Sequence, residues 1–394
     1  MCKTTDTVRT CELDPSLRDY MVEFRHDVHR LPELGFREKR TSDCVAEALR
    51  SFNIEVFQNK GVVGVLKAGN SQRVIALRAE LDALPIQETS THDYASIVPK
   101  TMHACGHDGH MAMLLGAAKY LSETRAFDGT VIFIFQPNEE NGLGAKAMLE
   151  EEVLARFGIE EIYAIHNLPG APLGEISTRA GLICNSESLF EIEIKGQGGH
   201  ASMPDVGVDT ILVGSEVVQA LQTIVARKLP PGSGAVVSVT EFITDGARNI
   251  LPGLTILKGD VRAQNPEHRT KIERLMRQIA TGVAATHDVE VHVKFQTEFI
   301  ETINHSENAA AVVRVAKRVT NQVIADREPM SFSEDFAYFL AAIPGCLLLL
   351  GNGVEDVHGK PLHSSNYDFN DDALMIGARF WASLVAERLP IGDA

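Results

Sequence analysis

The sequence predicts an α/β protein: a large domain with a mostly parallel sheet between helices, interrupted by a smaller α+β domain. Three observations carry that expectation. Short, wholly apolar runs (Val131–Phe135, Ile162–Ile165, Cys346–Leu350) recur between helix-length segments, the rhythm of parallel strands buried on both faces. Near residue 185 the texture changes, and Leu189–Lys195 alternates strictly apolar and polar, as a half-exposed antiparallel strand does. From about residue 298 the first texture resumes. At 394 residues the chain is long enough for two domains, and the boundaries are set at 1–184 with 298–394 for the large domain and 185–297 for the inserted one.

The elements follow in order. Pro15–Arg30 reads as a helix with Asp14 as its N-cap, and Thr41–Phe52 as a second, started from Arg40-Thr41-Ser42. Gly64–Lys67 and Val74–Arg78 read as strands, Met111–Leu121 as an apolar helix, and Val131–Phe135 as a buried strand. A helix starts at Ala145–Glu151, and Ile162–Ile165 is a further buried strand. The insert continues from its first strand with a helix over Asp209–Arg227 and strands over Ala235–Phe242 and Thr255–Arg262. A helix over Glu267–Thr286 and a strand over Val289–Val293 complete it. This strand-helix-strand-strand-helix-strand order makes a small sandwich complete in itself.

Composition excludes several classes of function. The balance of 37 basic against 53 acidic residues, a net charge of −16, argues against general nucleic-acid binding or an anionic membrane surface. No apolar run reaches the length of a membrane span, and the first residues, Met-Cys-Lys-Thr-Thr-Asp, hold no apolar signal core. The six cysteines (Cys2, Cys11, Cys44, Cys105, Cys184, Cys346) lack the spacing of a secreted disulfide framework, so a reduced, cytoplasmic protein is expected.

Only Cys105 keeps metal-like company. Met102-His103-Ala104-Cys105-Gly106-His107-Asp108 puts a thiol and an imidazole two residues apart in one turn, a pair of donors converging on one point. Glu139-Glu140 follows the buried strand ending at Phe135. One carboxylate held there calls for a cation, and its neighbour is placed to act as a base. His166-Asn167 ends the strand at Ile165, and His363-Ser364 lies in a turn-rich return. Taken singly, each has a bland reading: solvated carboxylates, a satisfied core histidine, a loop histidine. Glu80 and Asp82 stand at i and i+2 on one strand face, where Asp82 can hydrogen-bond a ligand imidazole or simply end an acidic strand.

Together the pieces resemble the N-acyl-amino-acid amidohydrolases (hippurate hydrolases, bacterial aminoacylases, auxin-conjugate hydrolases) of a two-metal peptidase superfamily. The resemblance covers nearly the whole chain. It rests on His29–Phe36, Leu77–Pro85, Met102–Asp108, Gln136–Glu140, His166-Asn167, Gly198-Gly199-His200-Ala201, Asn249-Ile250-Leu251-Pro252, Ser333–Phe336 and Leu362–Ser364. It implies that the insert is a dimerisation domain whose hinge motion closes the crevice. It implies, too, that Cys105, His107, Glu140, His166 and His363 ligate two divalent ions. Zinc or manganese is expected, and cobalt or nickel also suits such donors.

In this reading Glu139 is the general base and then acid, Asp82 assists catalysis, and metal-activated water attacks the amide. His200 and Asn249 bind substrate and oxyanion, His200 reaching the site of a partner subunit in a homodimer or dimer of dimers. Arg248 is a candidate for the substrate carboxylate. Three positions depart from the family's usual residues: Glu80 for Asp, Asp205 for His and Gly253 for Asp. They bear on substrate preference. The product would be a carboxylate and a free amino acid.

Other readings stay open on sequence alone. A dipeptidase, an N-carbamoyl hydrolase or an aromatic deaminase would use the same metal pair. A metal-stabilised binding protein would be expected to have lost a ligand or the base, and none is missing. A Cys105 nucleophile with His107 as its base is the poorest, because residues two apart in one turn seldom form a relay.

Overall fold

The computed structural model describes residues 11–392, so Cys2 and the N-terminal stretch lie outside the described residues. The chain divides into two compact units. One comprises the chain up to Ile183 together with Ile303–Glu328 and the segment from Glu334 onward; the other is Cys184–Thr302 with Pro329–Ser333. No described helix is long and apolar enough to cross a membrane, and no disulfide joins the described cysteines.

The larger unit is built on an eight-stranded sheet. Its order is Glu55–Gln58, Val62–Ala68, Gly129–Gln136, Val74–Glu80, Glu161–Pro169, Gly345–Gly353, Ile176–Ser177 and Val323–Ile324. The central pairings are parallel, with Glu80 opposite Gln136, Arg78 opposite Ala164 and His166 opposite Leu349. Antiparallel pairs stand toward the edges. The central strands carry apolar side chains on both faces because helices cover both; Val131–Phe135 and Cys346–Leu350 are at most 1% exposed.

The helix His107–Thr124 is buried for most of its length and packs between Ser16–Arg30 and Leu374–Arg388. It starts four residues before the expected Met111. His107, Asp108 and His110 break the apolar pattern of its first turn because they face a polar interior. The second helix, Lys39–Ser51, likewise begins ahead of the residues expected to cap it. The Glu33 carboxylate instead takes the Thr41 N–H at 2.8 Å and its hydroxyl at 3.0 Å. Asp14 accepts the Ser16 N–H at 2.8 Å, and that first helix runs Ser16–Arg30.

The smaller unit is an antiparallel sheet in the order Val236–Thr244, Leu254–Ala263, Ser186–Lys195, Glu290–Phe299. Ile192, Ile194, Leu257 and Val261 point to one face. There they pack with Val213, Val217 and Leu221 of Thr210–Thr223 and with Ile272, Met276 and Ala280 of Pro266–Thr286. The alternation read in Leu189–Lys195 is therefore a strand with one covered face. The unit has a core of its own, which is what a separately folding insert requires.

Candidate metal centre

The chemistry-bearing residues of the larger unit gather where its parallel strands end. Val74–Glu80 leads to Asp82, Gly129–Gln136 leads to Glu139 and Glu140, and Glu161–Pro169 carries His166. His166 lies inside its strand rather than after it. The backbone ladder to Gly345–Gly353 continues through Asn167 and holds its position. Cys105 and His107 flank Gly106, whose φ of +89° starts the helix with a left-handed turn. A Cβ there would strike the side chains of Asn167 and Tyr367, so only glycine lets the two donors face one centre.

The Glu139–Glu140 turn is held from below. Asn138 occupies the left-handed region (φ +48°), which Asn tolerates, and its N–H donates to Glu38 at 2.8 Å. The Glu140 N–H donates to Asp82 Oδ2 at 3.0 Å. His363 is also left-handed (φ +64°), fixed by its N–H to the Ala104 carbonyl at 2.8 Å. These contacts aim four segments at one place.

There the donor atoms converge. Cys105 Sγ lies 3.4 Å from His166 Nε2, and His363 Nε2 lies 3.4 Å from Glu140 Oε2. His107 Nε2 stands 4.0 Å from both Glu139 Oε2 and Glu140 Oε1. Metal bonds of about 2.0–2.3 Å set neighbouring donors roughly 3–4 Å apart, which these spacings satisfy. Three overlapping groups can each hold an ion: Cys105–His107–His166, Cys105–Glu140–His363 and His107–Glu139–Glu140.

Tautomers and unmet polar atoms support the fit. His107 Nδ1 donates to the Asp82 carbonyl at 2.8 Å and His166 Nδ1 to the Asn167 carbonyl at 2.7 Å, so each ring presents Nε2 to the centre. His107 Nε2 and Glu140 Oε1 are buried without a hydrogen-bond partner, the state expected of atoms reserved for a cation.

The electrostatics say the same. Burial, then the charges of Glu140 and Glu139, push the Cys105 thiol well up. Burial pushes the His107 imidazole down, but Asp82, Glu80 and Glu140 outweigh it and raise the group to about 10. Burial, with Glu334, Glu140 and Asp335 around it, holds the Glu139 carboxyl well above its ordinary range, and Arg78 offsets only part of this. A centre so rich in negative charge is complementary to divalent cations.

Behind the centre runs a second polar layer that sequence reasoning did not assemble. Arg78 donates to Gln136 Oε1 at 2.8 Å, to Glu80, to Glu334 at 3.0 Å and to Asp335 at 2.8 Å. The Asp335 N–H in turn donates to Glu139 Oε1 at 3.3 Å. His110 was also missed. It stands at i+3 from His107 and so shares that residue's helix face, a spacing that would have revealed it. Its Nδ1 donates to Glu80 at 2.7 Å and its Nε2 accepts the Asn167 N–H at 2.9 Å, which leaves no lone pair for a metal.

His29 lies fully buried in the first helix, with Nδ1 at 2.9 Å from Asp108 and Nε2 at 3.3 Å from Glu88. Burial pushes its pKa down, yet Asp108 and Glu88 outweigh burial and raise it to about 9. A folded-state pKa above the unfolded value of about 6.5 stabilises the protein fully below pH 6.5. That contribution, roughly 3 kcal/mol, is lost as pH rises through 9. Urea unfolding of chelated wild type is expected to weaken between pH 6.5 and 9.5, and His29→Gln to be less stable at pH 6 with a flatter profile. Equal slopes in the two proteins would show that the imidazole is not charged in the fold.

In the smaller unit, His200 and Asn249 line a groove of about 460 Å³ with Gly198, Gly199, Asp245, Ile250, Leu251 and Gly253. The short pairing of Gly199–His200 with Ile250–Leu251 brings the two segments together. Arg248 is exposed and is not among the lining residues; Asp205 sits on the exposed turn Pro204–Val206.

A parallel-centred sheet with a thiol, imidazoles and carboxylates converging at its strand ends is a candidate metal centre, and it fits a metal-dependent hydrolase. The sequence model of Peptidase family M20/M25/M40 matches residues 76–387, and the chain belongs to that family. It is 37% identical to the hippurate hydrolase of Campylobacter jejuni, covering 96% of this chain and 99% of that protein. It is 35% identical to the N-acetylcysteine deacetylase of Bacillus subtilis, covering 94% and 97% respectively. The crystal structure of a dinuclear metal-binding peptidase from B. subtilis superposes with a TM-score of 0.84 at 32% identity, covering 95% of this chain and 99% of that one. Family membership and the donor groups together support two divalent ions per chain.

Proposed function

We propose that the protein hydrolyses the amide bond of N-acyl or N-aroyl amino acids, releasing a carboxylate and a free amino acid. The observation that carries this reading is the convergence of Cys105, His107, Glu140, His166 and His363 beside a buried carboxyl of high proton affinity, Glu139. The relatives named for hippurate and N-acetylcysteine support the substrate class.

The five donors would hold two divalent ions, manganese or zinc, with cobalt or nickel as substitutes. When bound, such ions lower the pKa of water and polarise an acyl carbonyl. Glu139 then has one oxygen held by the Asp335 N–H and the other, Oε2, turned toward His107. From there it takes a proton from the attacking water and returns it to the departing amine nitrogen. Asp82 steadies His107 through its carbonyl and the Glu140 turn through its carboxylate.

We assign His200 and Asn249 to substrate and oxyanion binding, and Arg248 to the substrate carboxylate. We read the smaller unit, residues 185–297 by the sequence boundaries, as a dimerisation domain that lends His200 to a second subunit. Its exposed Ile211, Leu212, Phe242 and Ile243 offer apolar surface for that contact. A ligand thiol and the absence of disulfides among the described cysteines fit a reducing, cytoplasmic setting.

Amine release from N-acetyl, N-benzoyl and N-indoleacetyl amino acids tests the reading. Chelated protein should be silent, and manganese or zinc should restore turnover on at least one member. Silence across the panel with two ions bound would overturn it in favour of a dipeptide, N-carbamoyl or deaminase substrate.

A further inference from the structure

Every polar group of Asn167 is engaged, and each engagement leads to a donor of the metal centre or to a group behind it. Its carbonyl accepts His166 Nδ1–H at 2.7 Å, which fixes that imidazole's tautomer and aim. Its Nδ2 donates to the Cys105 carbonyl at 2.6 Å, which fixes the backbone that carries the thiol. Its Oδ1 accepts the Tyr367 hydroxyl at 2.8 Å, and its N–H donates to His110 Nε2 at 2.9 Å. His110 in turn donates from Nδ1 to Glu80 at 2.7 Å, and Glu80 is held by Arg78.

Asn167, His110, Glu80, Tyr367 and Arg78 are all buried, so none of these bonds competes with bulk water. The fit is also tight: Gly106 has no room for a Cβ against the Asn167 amide and the Tyr367 hydroxyl. Cys105 and His166 are 61 residues apart in the chain, on a loop and a strand, and this one residue ties the two together, through its side-chain amide and its backbone carbonyl.

We propose that Asn167 is a positioning residue that holds Cys105 and His166 in ligating geometry. His110 and Glu80 act behind it as the support that fixes its backbone. His110 is thus a structural partner of the centre, although it lies within ligand distance of Glu80 and His107. The length of Glu80 matters for this role, because its two oxygens serve Arg78 and His110 at once. The inference rests on the proposed metal centre, and its test reads metal binding directly.

Apo protein would be titrated with cobalt, following both stoichiometry and the thiolate-to-cobalt charge-transfer absorption that reports Cys105. Asn167→Ala is expected to weaken the tighter ion about 10- to 100-fold and to shift or reduce that absorption. Glu80→Gln, which offers one acceptor oxygen where two are used, should fall between wild type and Glu80→Ala, and Glu80→Ala should approach the Asn167→Ala value. A purely structural role would lower the unfolding midpoint of the chelated variants without moving the absorption. If Asn167→Ala does not fold, His110→Phe, which fills the same space without either hydrogen bond, carries the test.

Unchanged affinity and absorption in the folded variants would overturn the positioning role. Cys105→Ala separates that result from a failure of the metal reading. If it too leaves stoichiometry and spectrum unchanged, the centre itself is misassigned.

Discussion

Glu139→Gln is expected to lower kcat between about 100-fold and 10,000-fold while leaving both ions bound and KM little changed. The amide keeps the shape of the side chain and can still accept the Asp335 N–H, so the turn should stay in place. What it loses is the capacity to take up and return a proton. The stability readout should move the other way. Burial, and after it the crowding by Glu334, Glu140 and Asp335, hold the Glu139 carboxyl well above its ordinary range. The amide is neutral, as the protonated acid favoured there is, and adds no charge to that crowded and buried site, so the chelated variant should unfold no earlier than wild type in urea. A loss of stability with the loss of turnover would point to a structural carboxylate. Near-normal turnover with two ions bound would show that another group moves the proton.

The carboxylates around Glu139 also mark how far the sequence alone could be read. The central strands were legible because wholly apolar runs such as Val131–Phe135 admit few other readings once helices flank them. The edge was not: Ile176–Ser177 and Val323–Ile324 are two residues each, too short to leave a periodic signal. The five candidate ligands Cys105, His107, Glu140, His166 and His363, and the candidate base Glu139, stood out by residue type and by position near strand ends and turns. Among their supports Asp82 did too, but the more distant ones did not. Glu334 and Asp335 meet Arg78 across 256 and 257 residues, and no local pattern says which distant charges will face each other. The helix start was misplaced for a related reason. His107 and His110 look like a break in apolar periodicity, yet they are the buried first turn of the helix, polar because the interior they face is polar. The return of Pro329–Ser333 to the smaller unit is likewise a tertiary fact without a compositional mark.

Arg78→Met is expected to destabilise the chelated protein by about 3–5 kcal/mol, the largest stability effect foreseen for any single change. The methionine fills most of the space, so lost packing contributes little. The cost arises because the guanidinium bridges Glu80, Glu334 and Asp335 and tempers the charge on Glu139, all of them buried. Without it those carboxylates face one another in a poorly solvated interior, and they must take up protons or move apart. Burial already raises Asp335 to about 7 even with Arg78 beside it. The deficit should therefore be largest at pH 8 and shrink toward pH 6, where protonation discharges the cluster. Arg78→Lys should fall between wild type and Arg78→Met, since an ammonium supplies the charge but not the planar fork that serves Gln136 and three carboxylates together. Equal urea midpoints for Arg78→Met and wild type at pH 8 would show that the carboxylates are neutral in the metal-free fold. The same substitution takes the donor from Oε1 of Gln136, the last residue of the strand that launches the Glu139–Glu140 turn, and leaves its Nε2 on an Asp335 that has lost its cation. Turnover should then fail together with stability, whereas Glu139→Gln should separate the two.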